Sequence, residues 1–116
     1  MDKIISINGR EVGFKASALT PRFYRYRLNR DMIKDLNSLT ESYTKNRSEG
    51  VPLTIEDLEI FENSAYIMAK QYDNSIPDSP EEWLDSFEMF SIWEILPEIL
   101  ELWGMNQVTT SKAKKK

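Results

Sequence analysis

The chain has 116 residues, 41% of them apolar and 29% charged. That balance excludes wholesale disorder and fits one domain. With no Cys and no His, disulfides, thiolate nucleophiles, imidazole bases and the commonest metal ligands are excluded. The N-terminal residues form no signal-peptide core, and no window approaches ~20 uninterrupted apolar residues. The expectation is a soluble, intracellular, non-catalytic protein without a cofactor. The net charge of −4 conceals a dipole. Residues 1–53 hold ten Lys/Arg against six Asp/Glu, residues 54–103 hold thirteen acids against Lys70 alone, and residues 104–116 add four lysines. Such halves pair within one fold, attract a second copy head to tail, or attract a charged partner.

In chain order, two Ile- and Val-bearing runs flank Asn8-Gly9, which tolerate the positive φ of a type I′ turn, so a hairpin is expected over 3–15. Thr20 as N-cap and Pro21 at N1 predict a first helix. Its stripe is Tyr24, Leu28, Met32, Leu36, Leu39 and Tyr43. Arg27, Arg30 and Lys34 lie on the far side, while Arg25 falls inside the apolar stripe and must find a carboxylate, find carbonyls or snorkel to water. Residues 44–53, with Gly50 and Pro52, read as a polar loop. Thr54 caps a second helix, with Asp57 at N3 completing a weaker capping box. Leu58, Phe61, Ala65, Met68, Ala69 and Tyr72 are its core stripe, and Ile60 and Ile67 sit opposite. After a loop over 73–77, the capping box Ser79-Pro80-Glu81-Glu82 starts a third helix carrying Trp83, Leu84, Phe87 and Phe90. Ser91 with Glu94 repeats the box and predicts a new helix or a bend there. From 92 to 103 apolar residues cover half the circumference. Pro97 predicts a kink or break near 93–97, Gly104 reads as a stop, and 105–116 as a disordered basic tail. The fold class is mainly α: an N-terminal hairpin, then three to four packed helices in a single domain over 1–104.

Catalytic readings are weak. Glu81, Glu82 and Asp85 fall in the first turns of a helix, where carboxylates favour the dipole. Residues 73–78 faintly suggest a calcium loop but lack its Gly and its terminal Glu. No Gly-rich phosphate loop is present, and nothing marks a Ser–Lys dyad. Interaction readings are stronger. The broad apolar arc, two of whose residues are Trp, suits either the core or a surface shared with a partner. The candidate partner-binding residues are Ile60, Ile67, Trp83, Phe87, Phe90, Trp93, Leu96, Leu100 and Trp103. Arg25, Arg27, Arg30 and Lys34 form a candidate charged interface. With Phe23, Tyr24 and Tyr26 nearby, that basic face could contact nucleic acid, but a pI of about 4.9 argues against it.

Three stretches carry a resemblance: residues 7–16 (INGREVGFKA) with 19–27 (LTPRFYRYR); residues 57–71 (DLEIFENSAYIMAKQ); and residues 80–92 (PEEWLDSFEMFSI) with 95–104 (ILPEILELWG). In this order they resemble the tail assembly chaperones of long-tailed, siphovirus-type phages and prophages of Gram-positive bacteria, over about residues 3–106. One departure is Leu28-Asn29, where that family carries an aromatic–Gly pair. The resemblance implies a small, mostly helical protein in the host bacterial cytoplasm, absent from the mature virion. It would bind the tape measure protein and keep it soluble. A longer product made by programmed frameshifting would recruit tail tube subunits, and homo-oligomers would be compatible with this role. The lysines at 114–116 predict a slippery adenine run in the gene. A generic interaction scaffold or adaptor shares the same physics, and a nucleic-acid-binding regulator is the third reading.

Overall fold

The computed structural model describes the backbone of residues 1–112 and the side chains of 1–104. β1 (Asp2–Ile7) and β2 (Arg10–Lys15) form the expected hairpin, with Ile7 paired to Arg10 and Asp2 to Lys15. Asn8 and Gly9 both have positive φ, 55° and 81°, as the type I′ turn requires. Five helices follow: α1 (Thr20–Leu28), α2 (Met32–Glu49), α3 (Ile55–Tyr72), α4 (Pro80–Asp85) and α5 (Ile92–Lys112).

The first expected helix is two helices. Asn29 adopts the left-handed conformation, φ 57° and ψ 40°, and its N–H donates to the Arg25 carbonyl, which ends α1. Asp31 is extended, and its carboxylate accepts from the N–H groups of Ile33 and Lys34 to cap α2. A single wheel through 20–43 therefore misplaces Arg25. Once α1 turns away from α2, Arg25 is exposed. Thr20 is not the N-cap either. It is the first helical residue, and its hydroxyl accepts from the Ser17 N–H and donates to Gln71, tying α1 to the end of α3. The polar loop expected at 44–53 is helical as far as Glu49. Gly50, at φ 72°, ends α2 with its N–H on the Asn46 carbonyl. Thr44 to Glu49 are polar but contain no breaker, so the helix stops at Gly50 and no earlier.

α3 opens with the predicted reciprocal capping box of Thr54 and Asp57. It is the central element, packed by β2, α1, α2, α4 and α5. Glu56 and Glu59 stay exposed in its first turns, but residues 64–70 are buried on every side, and this corrects the expected stripe. Ile60 and Ile67, assigned to the far side, are buried, whereas Leu58 and Tyr72 are exposed. Tyr72 lies over the hairpin: a Cβ on Gly13 would fall 2.1 Å from its ring, so a larger residue there would push the exposed Tyr72 ring aside.

Ser79 caps α4 through the Glu82 N–H, and Pro80 enters the first turn. α4 ends at Asp85, and residues 86–91 form a non-helical link. The new helix predicted at Ser91 is present: the Ser91 carbonyl accepts from the N–H groups of Glu94 and Ile95. Pro97 lies inside α5 in its second turn, and the break expected at 93–97 falls earlier, in the link. α5 runs on through Gly104, so the expected stop is not made there. The expected disordered tail, 105–116, falls on residues whose side chains lie outside the description, and 113–116 lie outside it altogether. No described helix is long and apolar enough to cross a membrane.

Candidate functional site

Two connections flank α4 and frame the candidate surface. The first, residues 73–79, is pinned by donors reaching out of the helices. Lys70 is only 4% exposed. Its Nζ donates to the carbonyls of Asn74 (2.8 Å) and Ile76 (2.7 Å) and to the Asp78 carboxylate (3.0 Å). Tyr66 donates its hydroxyl proton to the Pro77 carbonyl (2.7 Å), and Arg27 donates to the Asp78 carbonyl (2.9 Å). The hydrogen bond from Lys70 holds the Asp78 carboxyl below its ordinary pKa. Burial of an ammonium is tolerable only with its protons so satisfied. No sequence pattern signals this arrangement, since the acceptors are mostly backbone carbonyls.

The second connection, 86–91, is held by rings. Trp83 is fully buried. Its indole meets Phe14, Tyr66, Phe87 and Phe90 with centroids 5.1–6.4 Å apart. Phe90 also lies 5.3 Å from Phe61. Arg10, from the hairpin turn, places its guanidinium 4.0 Å from the Phe87 ring centroid and donates to Ser86. The inner rings therefore anchor the link, while Met89 (67% exposed) and Trp93 (57%) point to solvent. A shallow depression at Met89 is lined by Ile7, Met89 and Ile95 together with polar Asn8, Ser91 and Glu94. Asp85, Glu88 and Glu94 of the same stretch are also exposed. Exposed tryptophan beside exposed methionine is the combination that protein interfaces favour.

The sequence-derived candidates divide accordingly. Ile60, Ile67, Trp83, Leu96 and Trp103 are buried in the common core; Phe87, Phe90 and Leu100 are half-buried against it; Trp93 alone is exposed. Met89, which is not among those candidates, is its exposed neighbour. Its position on a non-helical link hides it from a helical wheel. The buried indole N–H groups of Trp83 and Trp103 have no acceptor among the described residues.

The basic candidates are also separated. Arg27 faces Tyr66 and Asp78. Arg30 makes a bidentate pair with Asp35 at 2.7 and 2.9 Å, and the Tyr24 hydroxyl donates to the same carboxylate at 2.8 Å. Burial pushes the Asp35 carboxyl up, but the Arg30 and Tyr24 hydrogen bonds outweigh it and hold the pKa below the ordinary value. Burial and the hydrogen bond to Asp35 raise the Tyr24 phenol. Arg25 and Lys34 remain exposed and make no ion pair among the described residues. The four cations do not form one continuous face. Among the described residues no group of three or more acidic side chains is arranged to hold a metal ion. Compared with known proteins, the chain matches no family model, no curated protein and no solved structure.

Proposed function

We propose that this chain is a phage tail assembly chaperone that captures apolar, helix-forming segments of a tape measure protein. The observation that carries the reading is a pair of solvent-facing apolar side chains, Met89 and Trp93, on and just after a link anchored by an aromatic cluster, in a stretch whose acids Asp85, Glu88 and Glu94 are also exposed. Such a stretch suits a partner helix with apolar residues flanked by Lys or Arg. The resemblance over residues 3–106 supports the same reading. Its one departure, Leu28-Asn29, is local to the end of α1, where Asn29 adopts the left-handed conformation that Gly or Asn accepts. Many weak contacts along one long client would add through avidity and stay individually reversible, so that polymerising tail tube subunits displace them. The work would be done in the host cytoplasm, without making or breaking a covalent bond. A longer form made by frameshifting at the terminal lysine codons would supply the contact with the tube protein.

Co-expression tests this. Tape measure fragments from the gene downstream should become soluble with the wild-type chain and stay insoluble with Trp93→Ser. Equal solubility with and without the wild-type chain overturns the proposal. The nucleotide sequence across the codons of Lys114, Lys115 and Lys116 checks the frameshift separately.

A further inference from the structure

The register of the hairpin fixes which of its backbone groups are left free. Met1 and Ala16 exchange both of their N–H···O bonds, each 2.8 Å long. Antiparallel pairs alternate between bonded and non-bonded, so Phe14, Val12 and Arg10 are the residues of β2 that bond to β1. Glu11, Gly13 and Lys15 turn their N–H and carbonyl groups off the outer edge of the sheet. None of these groups has a hydrogen-bond partner among the described residues. A two-stranded sheet with an open edge is a template for a third strand.

A cavity of about 290 Å³ follows this edge, lined by residues 10–13 together with Ala69, Ile76 and Trp83. Both the inward-facing Val12 and the outward-facing Glu11 contribute, so the cavity borders the strand rather than one face of the sheet. Its aliphatic lining, beside an indole N–H that has no acceptor among the described residues, suits a short β-branched side chain. Glu11 and Asp73, which also line it, are exposed and hold no ion pair among the described residues. Arg10 is occupied by Ser86 and the Phe87 ring. Tyr72 rests its exposed ring on Gly13, and its hydroxyl makes no hydrogen bond among the described residues, so the ring is free to swing aside.

We infer that the outer edge of β2 takes up an extended, basic segment of a partner protein as a third, antiparallel strand. The occupant is a basic strand because the open groups are backbone donors and acceptors at alternate residues and the unpaired side chains beside them are carboxylates. Its residue opposite Glu11 is Lys or Arg, the one opposite Val12 is Val or Thr and enters the cavity, and the one opposite Gly13 is small. Read in the direction of the incoming chain, the centre is Ser-Val-Lys or its like. This surface is separate from Met89 and Trp93, and the inference does not rest on the tape measure reading.

Titrating the full, isotope-labelled chain with a short capped peptide centred on Ser-Val-Lys tests it by NMR. Amide shifts should gather at residues 10–14 and Tyr72, with the Trp83 indole moving too, at a dissociation constant of about 1 mM or below. The Ser-Val-Glu peptide should bind about fivefold more weakly. Glu11→Lys, with an unchanged circular dichroism spectrum, should narrow or reverse that preference, and Trp93→Ser should leave it as it is. N-methylation of the peptide's Lys removes the donor to the Glu11 carbonyl and should abolish the shifts. No shift at residues 10–14 by about 5 mM peptide overturns the inference. So does binding that ignores the charge at Glu11 or survives the N-methyl group. A free chain whose sedimentation changes with Glu11→Lys would assign the edge to a second copy and overturn it as well.

Discussion

The two connections on either side of α4 have similar length and opposite construction. Residues 73–79 are held by polar pins: an ammonium, a guanidinium and a phenol reach out of the helices to backbone carbonyls and Asp78. Residues 86–91 are held by rings, with Phe87 and Phe90 packed on Trp83 and Phe90 also on Phe61. Polar pins consume the Lys70 ammonium and the carbonyls of Asn74, Ile76, Pro77 and Asp78, so the first connection exposes polar side chains and no large apolar one. Aromatic anchoring is one-sided, so the second connection keeps Met89 and Trp93 outside. A loop fixed by hydrogen bonds serves the fold; a loop fixed by its inner rings can also present an outer face.

Removing the pins should have the largest effect. Lys70→Ala strips three acceptors of their donor and leaves a cavity, and is expected to cost about 3–5 kcal/mol. A lowered urea midpoint at unchanged slope would show it; a shift below about 1 kcal/mol would mean that water replaces the ammonium easily. Phe90→Ala removes one ring of the second anchor, half-buried rather than enclosed, and should cost about 2 kcal/mol. It should also weaken client capture, because the link that carries Met89 loses its support, whereas Lys70→Ala should spare capture under conditions where it remains folded. Trp93→Ser should be the mildest for stability, within about 0.5 kcal/mol, and the most damaging for binding. A large loss of stability in Trp93→Ser would erase the distinction between anchor and outer face.

Local chemistry makes several elements legible in the sequence alone. Asn8-Gly9 can only turn tightly, Thr54 with Asp57 can only begin a helix, and Ser79-Pro80 and Ser91 mark two further starts. These signals need no knowledge of what packs where. The sequence pattern misleads where tertiary packing decides. Ile60 and Ile67 look like an outward pair only if α3 has one buried side, and it is surrounded. Asn29 reads as a mid-helix polar residue, and its left-handed turn with the Asp31 cap is hidden inside an otherwise helical pattern. Lys70 reads as a solvated base because its carbonyl acceptors carry no sequence signature. Of the interaction surface, Trp93 is visible in the sequence; Met89 is not, since residues 86–91 obey no periodicity.

Turning Lys70 inward has an effect beyond the connection it ties. It is the one base between residues 54 and 103, and its ammonium is spent in the interior. Beyond its own contact with Asp78, counter-charge for the thirteen acids of that segment comes from Lys3 on Glu98 and Glu101, Arg27 near Asp78 and Arg30 near Glu56, which leaves nine, Asp57, Glu59, Glu62, Asp73, Glu81, Glu82, Asp85, Glu88 and Glu94, without an ion pair among the described residues. Dissolved cations therefore cushion the folded chain itself, and moderate ionic strength should raise its melting temperature.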